Sequence, residues 1–311
     1  MSLKLTLPKT ELNVHPLCLG GNVFGWTANK EESFAVLDAY AAHGGNFIDT
    51  ADVYSEWAPG NSGHESERII GEWMKARGNR SEMVIATKVA KLSTRPGLSA
   101  SNIASALEGS LAALQTDYID LYYAHEDDAN TSLEETLGAF DVTVKAGKVR
   151  YIAASNYSAD RLQAALDVSR INNFAAFVAI QNMYNLVERN PYESELAPAV
   201  IDAGISGIPY FGLARGFLTG KYRAGVTIDS VRASGVESYQ NERGYALVDL
   251  LTEIASAHKS SISAVSLAWL RSQPSISTPI ASARTVEQLE DIVQVIQLTS
   301  DEVSALNSIT A

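Results

Sequence analysis

Short apolar runs alternate with amphipathic segments along the chain at intervals of roughly 30 to 40 residues. After an opening stretch that suits a hairpin (Leu3 to Val14), strand-like runs fall at Leu17-Cys18-Leu19, Asn46-Phe47-Ile48, Met83 to Thr87, Tyr118 to Ala124, Val149 to Ala154, Ala176 to Gln181, Ile205 to Tyr210 and Thr278 to Ala281. Between them lie helical segments with their own start and stop signals. Asn29 with Glu32 makes a capping box ahead of Phe34, Leu37 and Tyr40, and Gly44-Gly45 stops that helix. Ser62 with Glu65 opens a second, faced by Ile69, Ile70, Trp73 and Met74 and ended by Gly78. Ile103, Leu107, Leu111 and Leu114 mark a third; Thr131 with Glu134, then Leu133, Leu137, Phe140 and Val144, mark a fourth. Further helices are expected at about 158 to 170, 194 to 203, 243 to 258 and 263 to 272, then from Thr285 with Gln288 and near Ser300 to Ser308.

Eight strands joined by helical crossovers favour closure over an open sheet. The expected fold is one α/β domain over residues 1–311: a single (β/α)8 TIM barrel with an N-terminal β-hairpin and extra helices late in the chain. The G-x-G-x-x-G fingerprint of a dinucleotide-binding open sheet is absent after the first strand. The glycine-containing segment 211–243 is too long for a routine connection and reads as a lid.

Composition narrows the function. With 46% hydrophobic and 19% charged residues, the 311-residue chain has the balance of an ordinary globular protein. Its net charge of −12 argues against nucleic-acid or anionic-membrane partners, which need clustered Lys and Arg. Cys18 is the only cysteine, so no intrachain disulfide forms, and no long apolar run marks a leader or a membrane span. A cytoplasmic protein is expected.

Four polar residues sit at or just past strand ends: Asp49, Tyr54, Lys88 and His125. Barrel catalysis is found at those ends. A carbonyl reductase needs a general acid brought toward neutrality. A tyrosine starts near a pKa of about 10, and a nearby Lys88 ammonium held by Asp49 is expected to lower it. His125 would hydrogen-bond a carbonyl oxygen or relay the proton. The motif Phe47-Ile48-Asp49-Thr50-Ala51-Asp52-Val53-Tyr54, with Lys88 and His125, resembles the aldo-keto reductase superfamily. The likeness extends over essentially the whole chain, through Ser155-Asn156, Gln181, Tyr210, Leu213 to Lys221 and Ala283 to Leu289. It implies NADPH-dependent reduction of aldehydes and ketones, reversible, with Tyr54 as the acid, Lys88 and Asp49 its support and His125 the residue that orients the substrate.

The resemblance also implies a cofactor set. Ser155, Asn156 and Gln181 would hydrogen-bond the nicotinamide carboxamide and Tyr210 would stack on its ring. Gly21, Asn22 and Asp49 stand at the same end of the barrel. Leu213, Arg215 and Lys221 would fold over the pyrophosphate, Arg284 would pair with a ribose 2′-phosphate helped by Ser282 and Gln288, and Asp291 would reach the adenine or its ribose. NADPH is expected over NADH.

Ser282 and Ile292 stand where many relatives carry lysine and asparagine, which loosens that end of the cofactor site. Three carboxylates, Glu126, Asp127 and Asp128, follow His125; they are expected to disfavour anionic substrates and to raise the His125 pKa. As calcium or magnesium ligands they are too local, and no metal site is expected. Trp26 and Trp57 either line the substrate pocket or pack on a neighbour. The competing reading is a cofactor-binding regulatory or redox-sensing barrel with low turnover.

Overall fold

In a computed structural model of the chain, residues 4–226, 228 and 233–310 are described. Two antiparallel strands come first, β1 (Leu5–Thr6) and β2 (Asn13–Val14). They form the expected hairpin, although Leu3 lies outside the described residues. Eight parallel strands follow: β3 (Cys18–Gly20), β4 (Phe47–Asp49), β5 (Val84–Val89), β6 (Ile119–Ala124), β7 (Val149–Ser155), β8 (Phe177–Gln181), β9 (Ser206–Gly207) and β10 (Ile280–Ala281). They pair in chain order, with β10 beside β3. The ring closes at β9: Gly207 N donates to Ser275 O, Ser277 N to Gly207 O and Ile280 N to Pro209 O, each at 2.9 Å. This is the (β/α)8 barrel.

Helices cover its outside: α1 (Lys30–Ala42), α2 (Glu65–Arg77), α3 (Ala100–Leu114), α4 (Leu133–Lys145), α5 (Ala159–Asn172), α6 (Ala197–Ala203), α7 (Glu242–His258), α8 (Ile262–Arg271), α9 (Val286–Val293) and α10 (Ser300–Thr310). The Asn29–Glu32 capping box is present in both directions, at 2.9 and 2.8 Å. At α4 the cap moves by one residue. Ser132 accepts from Glu135 N, because the Thr131 hydroxyl donates instead to Asp128 at 2.8 Å. At α2 only half the box forms: Ser62 N donates to Glu65, while His64, at φ 66, precedes the helix without a side-chain cap.

Two apolar layers hold the barrel. Outward strand residues such as Ile48, Ile85, Ile152 and Ile180 pack against Leu37, Tyr40, Trp73, Leu107 and Phe140 of the helices. Inward residues form a second cluster: Cys18, Phe47, Val84, Ala86, Leu121, Tyr123, Ala153, Ala179, Ile208 and Ile280. Leu7, Leu12 and Val14 of the hairpin belong to this inner cluster. Asn46, just before β4, accepts from His15 N and donates to Asn13 O, both at 2.9 Å. The hairpin therefore plugs the end where the strands begin. Side chains alternate along a strand, so the residues two places after the inner apolar ones form the next layer up: Gly20, Asp49, Lys88, His125, Ser155, Gln181, Tyr210 and Ser282.

Candidate active site

That upper layer opens into a cleft of about 660 Å³ at the C-terminal ends of the strands. Lys88 is wholly buried beneath its floor. Its ammonium donates to Asp49 Oδ2 at 2.6 Å, to Thr50 O at 2.8 Å and to Tyr54 Oη at 2.8 Å. All three donor positions of the lysine are thereby used. Tyr54 Oη also donates to Asp49 Oδ2 at 3.2 Å, and Gln181 Nε2 donates to Asp49 Oδ1 at 2.9 Å. The buried carboxylate is paired and hydrogen-bonded on both oxygens, as burial of a charge requires.

The electrostatics differ from the expectation at two residues. The Tyr54 hydroxyl is enclosed by Lys88 and Asp49. That burial first, and the Asp49 carboxylate second, hold the phenol well above its ordinary range. Burial and Asp49 outweigh the hydrogen bond that Lys88 donates to the phenol oxygen in the resting site. Burial pulls Lys88 down, against the pull of Asp49. His125 is likewise pushed down, by burial and then by the charges of Lys88 and Lys91, so its imidazole is neutral near pH 7.

The three acids after His125 do not raise it, because each is engaged elsewhere. Glu126 pairs with Lys91 at 3.0 Å, Asp127 takes both arms of Arg161 at 2.8 Å, and Asp128 accepts from Leu98 N, Asn130 N and the Thr131 hydroxyl. They tie the loops around the mouth to one another. His125 Nδ1 is buried and has no hydrogen-bond partner among the described residues. The His125 ring packs edge-on to Tyr54, centroids 6.0 Å apart.

One wall of the cleft is a polar ladder. Ser155 Oγ donates to Gln181 O at 2.8 Å, Asn156 Nδ2 to His125 O at 2.9 Å, and Tyr210 Oη to Asn156 Oδ1 at 2.8 Å. Asn156 holds a left-handed backbone, φ 57, that turns its side chain back across the strand ends. On the opposite side Ser282 Oγ donates to Asn22 Oδ1 at 2.6 Å. Ser282 thus faces the barrel mouth and its hydroxyl is committed to Asn22. Arg284, Gln288 and Asp291 continue the cleft to its rim. Gln288 Oε1 accepts from Arg284 N at 3.0 Å, and the Arg284 side chain has no hydrogen bond or ion pair among the described residues. Burial and the Glu287 charge raise the Asp291 carboxyl.

Gly21 does not line the cleft. Its N–H donates to Asp49 O at 2.7 Å, its carbonyl accepts from Ser66 Oγ at 2.8 Å, and a Cβ there would come within 2.8 Å of Ser66 Oγ. It is a packing glycine against α2; Gly20 is the one at the cleft. Leu213, Arg215 and Lys221 do line it. They belong to a strap more than a free lid. Ala214, Phe217, Leu218, Tyr222, Val236 and Tyr239 are buried, and Arg215 ties the strap's two limbs by donating to Gly235 O at 3.2 Å. Part of the 211–243 segment, 227 and 229–232, lies outside the described residues. Trp57 lines the cleft and also packs edge-on to Trp26, centroids 5.5 Å apart. Thr27, Lys91, Phe211 and Gly212 from loops and Ser263 from the first turn of α8 line it too and carry no distinctive sequence signal.

Comparison with known proteins gives a consistent picture. The model of the aldo/keto reductase family matches residues 16–311. The chain is 35% identical to the uncharacterized oxidoreductase YrpG of Bacillus subtilis (strain 168), over 95% of this chain and 91% of that protein. It is 33% identical to norsolorinic acid reductase stcV of Emericella nidulans, over 91% of this chain and 74% of the relative. It is also 33% identical to a probable voltage-gated potassium channel subunit beta of Oryza sativa subsp. japonica, over 96% and 93%.

Proposed function

The chain belongs to the aldo/keto reductase family, and from that premise we propose that it is an NADPH-dependent reductase of small aldehydes and ketones, reversible, with Tyr54 as the proton donor. The observation that carries this reading is the 2.8 Å contact from Lys88 Nζ to Tyr54 Oη, made while the same ammonium holds Asp49. A phenol held high keeps its proton in the resting site and becomes an effective donor only as the phenolate being formed is stabilised. When the proton leaves, the new phenolate oxygen already has a Lys88 N–H pointing at it, so no reorganisation is required. Asp49, anchored by Gln181, keeps the buried lysine charged for that role. The neutral His125 and the Tyr54 hydroxyl converge on one region of the cleft, where they would hold a carbonyl oxygen and fix its orientation.

Bound reduced nicotinamide would supply the hydride that no side chain here can deliver. The donor set suits it: the amides of Asn156 and Gln181 and the flat face of Tyr210 lie along one wall. Arg284, without a protein partner among the described residues, suits a 2′-phosphate and favours NADPH over NADH. Asn22, Ser155, Ser282 and Gln288 are secondary contacts in this reading, and Leu213, Arg215 and Lys221 cover the middle of the cofactor. Asp291 would lie against the adenine end. With Cys18 as the only cysteine, we place the protein in the reducing cytoplasm. No helix among the described residues is long and apolar enough to cross a membrane.

NADPH consumption against a panel of short aldehydes, diketones, sugars and aromatic aldehydes tests the reading, together with Tyr54→Phe. The variant should bind NADPH as the parent does and lose turnover by about 10²–10⁴-fold. NADPH binding without turnover across the panel would favour the low-turnover regulatory barrel, a reading kept open by the likeness to a channel subunit. No NADPH binding would sink both.

A further inference from the structure

On the far side of the sheet from the cleft, between β4–β6 and α2–α3, lies a second polar cluster. Glu67, in the first turn of α2, is wholly buried. Its Oε1 accepts from the Thr87 hydroxyl and its Oε2 meets His64 Nδ1, both at 2.5 Å. Asp52 is also wholly buried, and its backbone joins two parts of the proposed machinery. Its N–H donates to Lys88 O at 3.3 Å, and its carbonyl accepts from His64 N at 2.7 Å. Two residues further on is Tyr54. Neither Asp52 carboxyl oxygen has a hydrogen-bond partner among the described residues, and Arg95 Nη1 and the Tyr122 hydroxyl nearby are in the same condition.

A buried carboxyl without donors is costly once ionised, and more so beside a second carboxylate. We propose that Asp52 is a positioning residue whose neutral form keeps the Ala51–Tyr54 turn seated on the Lys88 strand, and whose ionisation, against Glu67, loosens that turn and adds negative charge behind Lys88. The inference rests on Tyr54 and Lys88 being the reacting pair. The groups facing Asp52 are Glu67 from α2, His64 just before it, Arg95 from the loop before α3, Thr87 and Lys88 from β5, and Tyr122 from β6. Burial and then Glu67 push the Asp52 carboxyl up to about 7, against His64, Arg95 and the adjacent Val53 N–H, whose approach falls short of full hydrogen-bond geometry. His64 is raised: burial would lower it, but the Glu67 hydrogen bond and charge prevail. Asp52 also counts among the charges acting on Lys88. The raised carboxyl binds its proton more tightly in the fold than in the unfolded chain. Stability is therefore lost as pH rises from the ordinary carboxylate range through about 7, and the loss stays complete above that.

The test compares the full-length protein with Asp52→Asn in two measurements across roughly pH 5 to 8.5. In thermal unfolding, which needs no cofactor, the variant should gain on the parent as pH rises, with the Tm gap widening by a few degrees through neutrality. In carbonyl reduction, the parent should show an alkaline decline in kcat beginning near neutral pH that the variant lacks. Parallel melting curves overturn the inference whatever the activity does. A widening gap with no reductase activity in either protein overturns the proposed function, and the positioning role with it. If Asp52→Asn does not fold, Glu67→Gln takes its place: relieving the repulsion lets Asp52 ionise more readily and should move both pH transitions downward, and unmoved transitions overturn the inference.

Discussion

Lys88 Nζ lies 2.6 Å from Asp49 Oδ2, with the side chains 0% and 2% exposed. Removing one partner of such a pair strands the other's charge in the interior. Lys88→Met should cost about 3–5 kcal/mol of stability, read by denaturant unfolding. Lys88→Met with Asp49→Leu should recover part of that loss while remaining inactive. A single variant as stable as the parent would mean that the pair is not held as described.

Acid should weaken the fold through His15. Burial, with the charges of Arg271, Lys4 and His43 acting in the same direction, pushes this histidine down to about 4. Between about 4 and the ordinary 6.5 the unfolded chain binds a proton that the folded one refuses, so stability is lost as pH falls through that window. His15→Asn should flatten the pH dependence by up to about 3 kcal/mol, measured as the difference between the two unfolding curves at each pH. Identical slopes would contradict it.

Arg284→Ala should separate the two coenzymes. Loss of a charge-assisted contact is worth about 1.5–3 kcal/mol, or roughly 10- to 100-fold in affinity. NADPH binding should weaken by that factor while NADH binding stays nearly constant. Equal effects on both would argue that the arginine serves the cleft in another way.

Trp57 is 49% exposed and touches Trp26 and Tyr54 by ring edges. Trp57→Ala should cost only about 0.5–1.5 kcal/mol of stability. The effect on KM should be several-fold for bulky aromatic aldehydes and small for short aliphatic ones. A uniform change in KM across the panel would remove Trp57 from substrate recognition.

Much of the site was legible because a strand repeats every two residues. Phe47 and Asp49, Ala86 and Lys88, Tyr123 and His125, Ala153 and Ser155, Ala179 and Gln181 are pairs in which the inward apolar residue predicts that the polar one faces the same space. Gly21 escaped this logic. It lies one place past Gly20 and so turns to α2, a parity that a glycine with no side chain does not advertise. The acids after His125 misled for another reason. Charge adds along a sequence, but its effect depends on partners such as Arg161, 34 residues after Asp127, and Lys91, 35 residues before Glu126. The same holds for Tyr54, whose environment depends on how Lys88 divides its three N–H groups. Asp52 read as part of a motif, and only the fold shows that it stands on the other side of the sheet from its neighbours Asp49 and Tyr54.

The hairpin of Leu7, Leu12 and Val14 stoppers one end of the barrel. A vessel with one opening imposes a queue. Under the proposed function, whatever reaches the floor enters and leaves past the same rim. Changes along the strap or at the Arg284 edge can therefore alter the pace of the whole cycle while leaving every atom around Lys88 where it was.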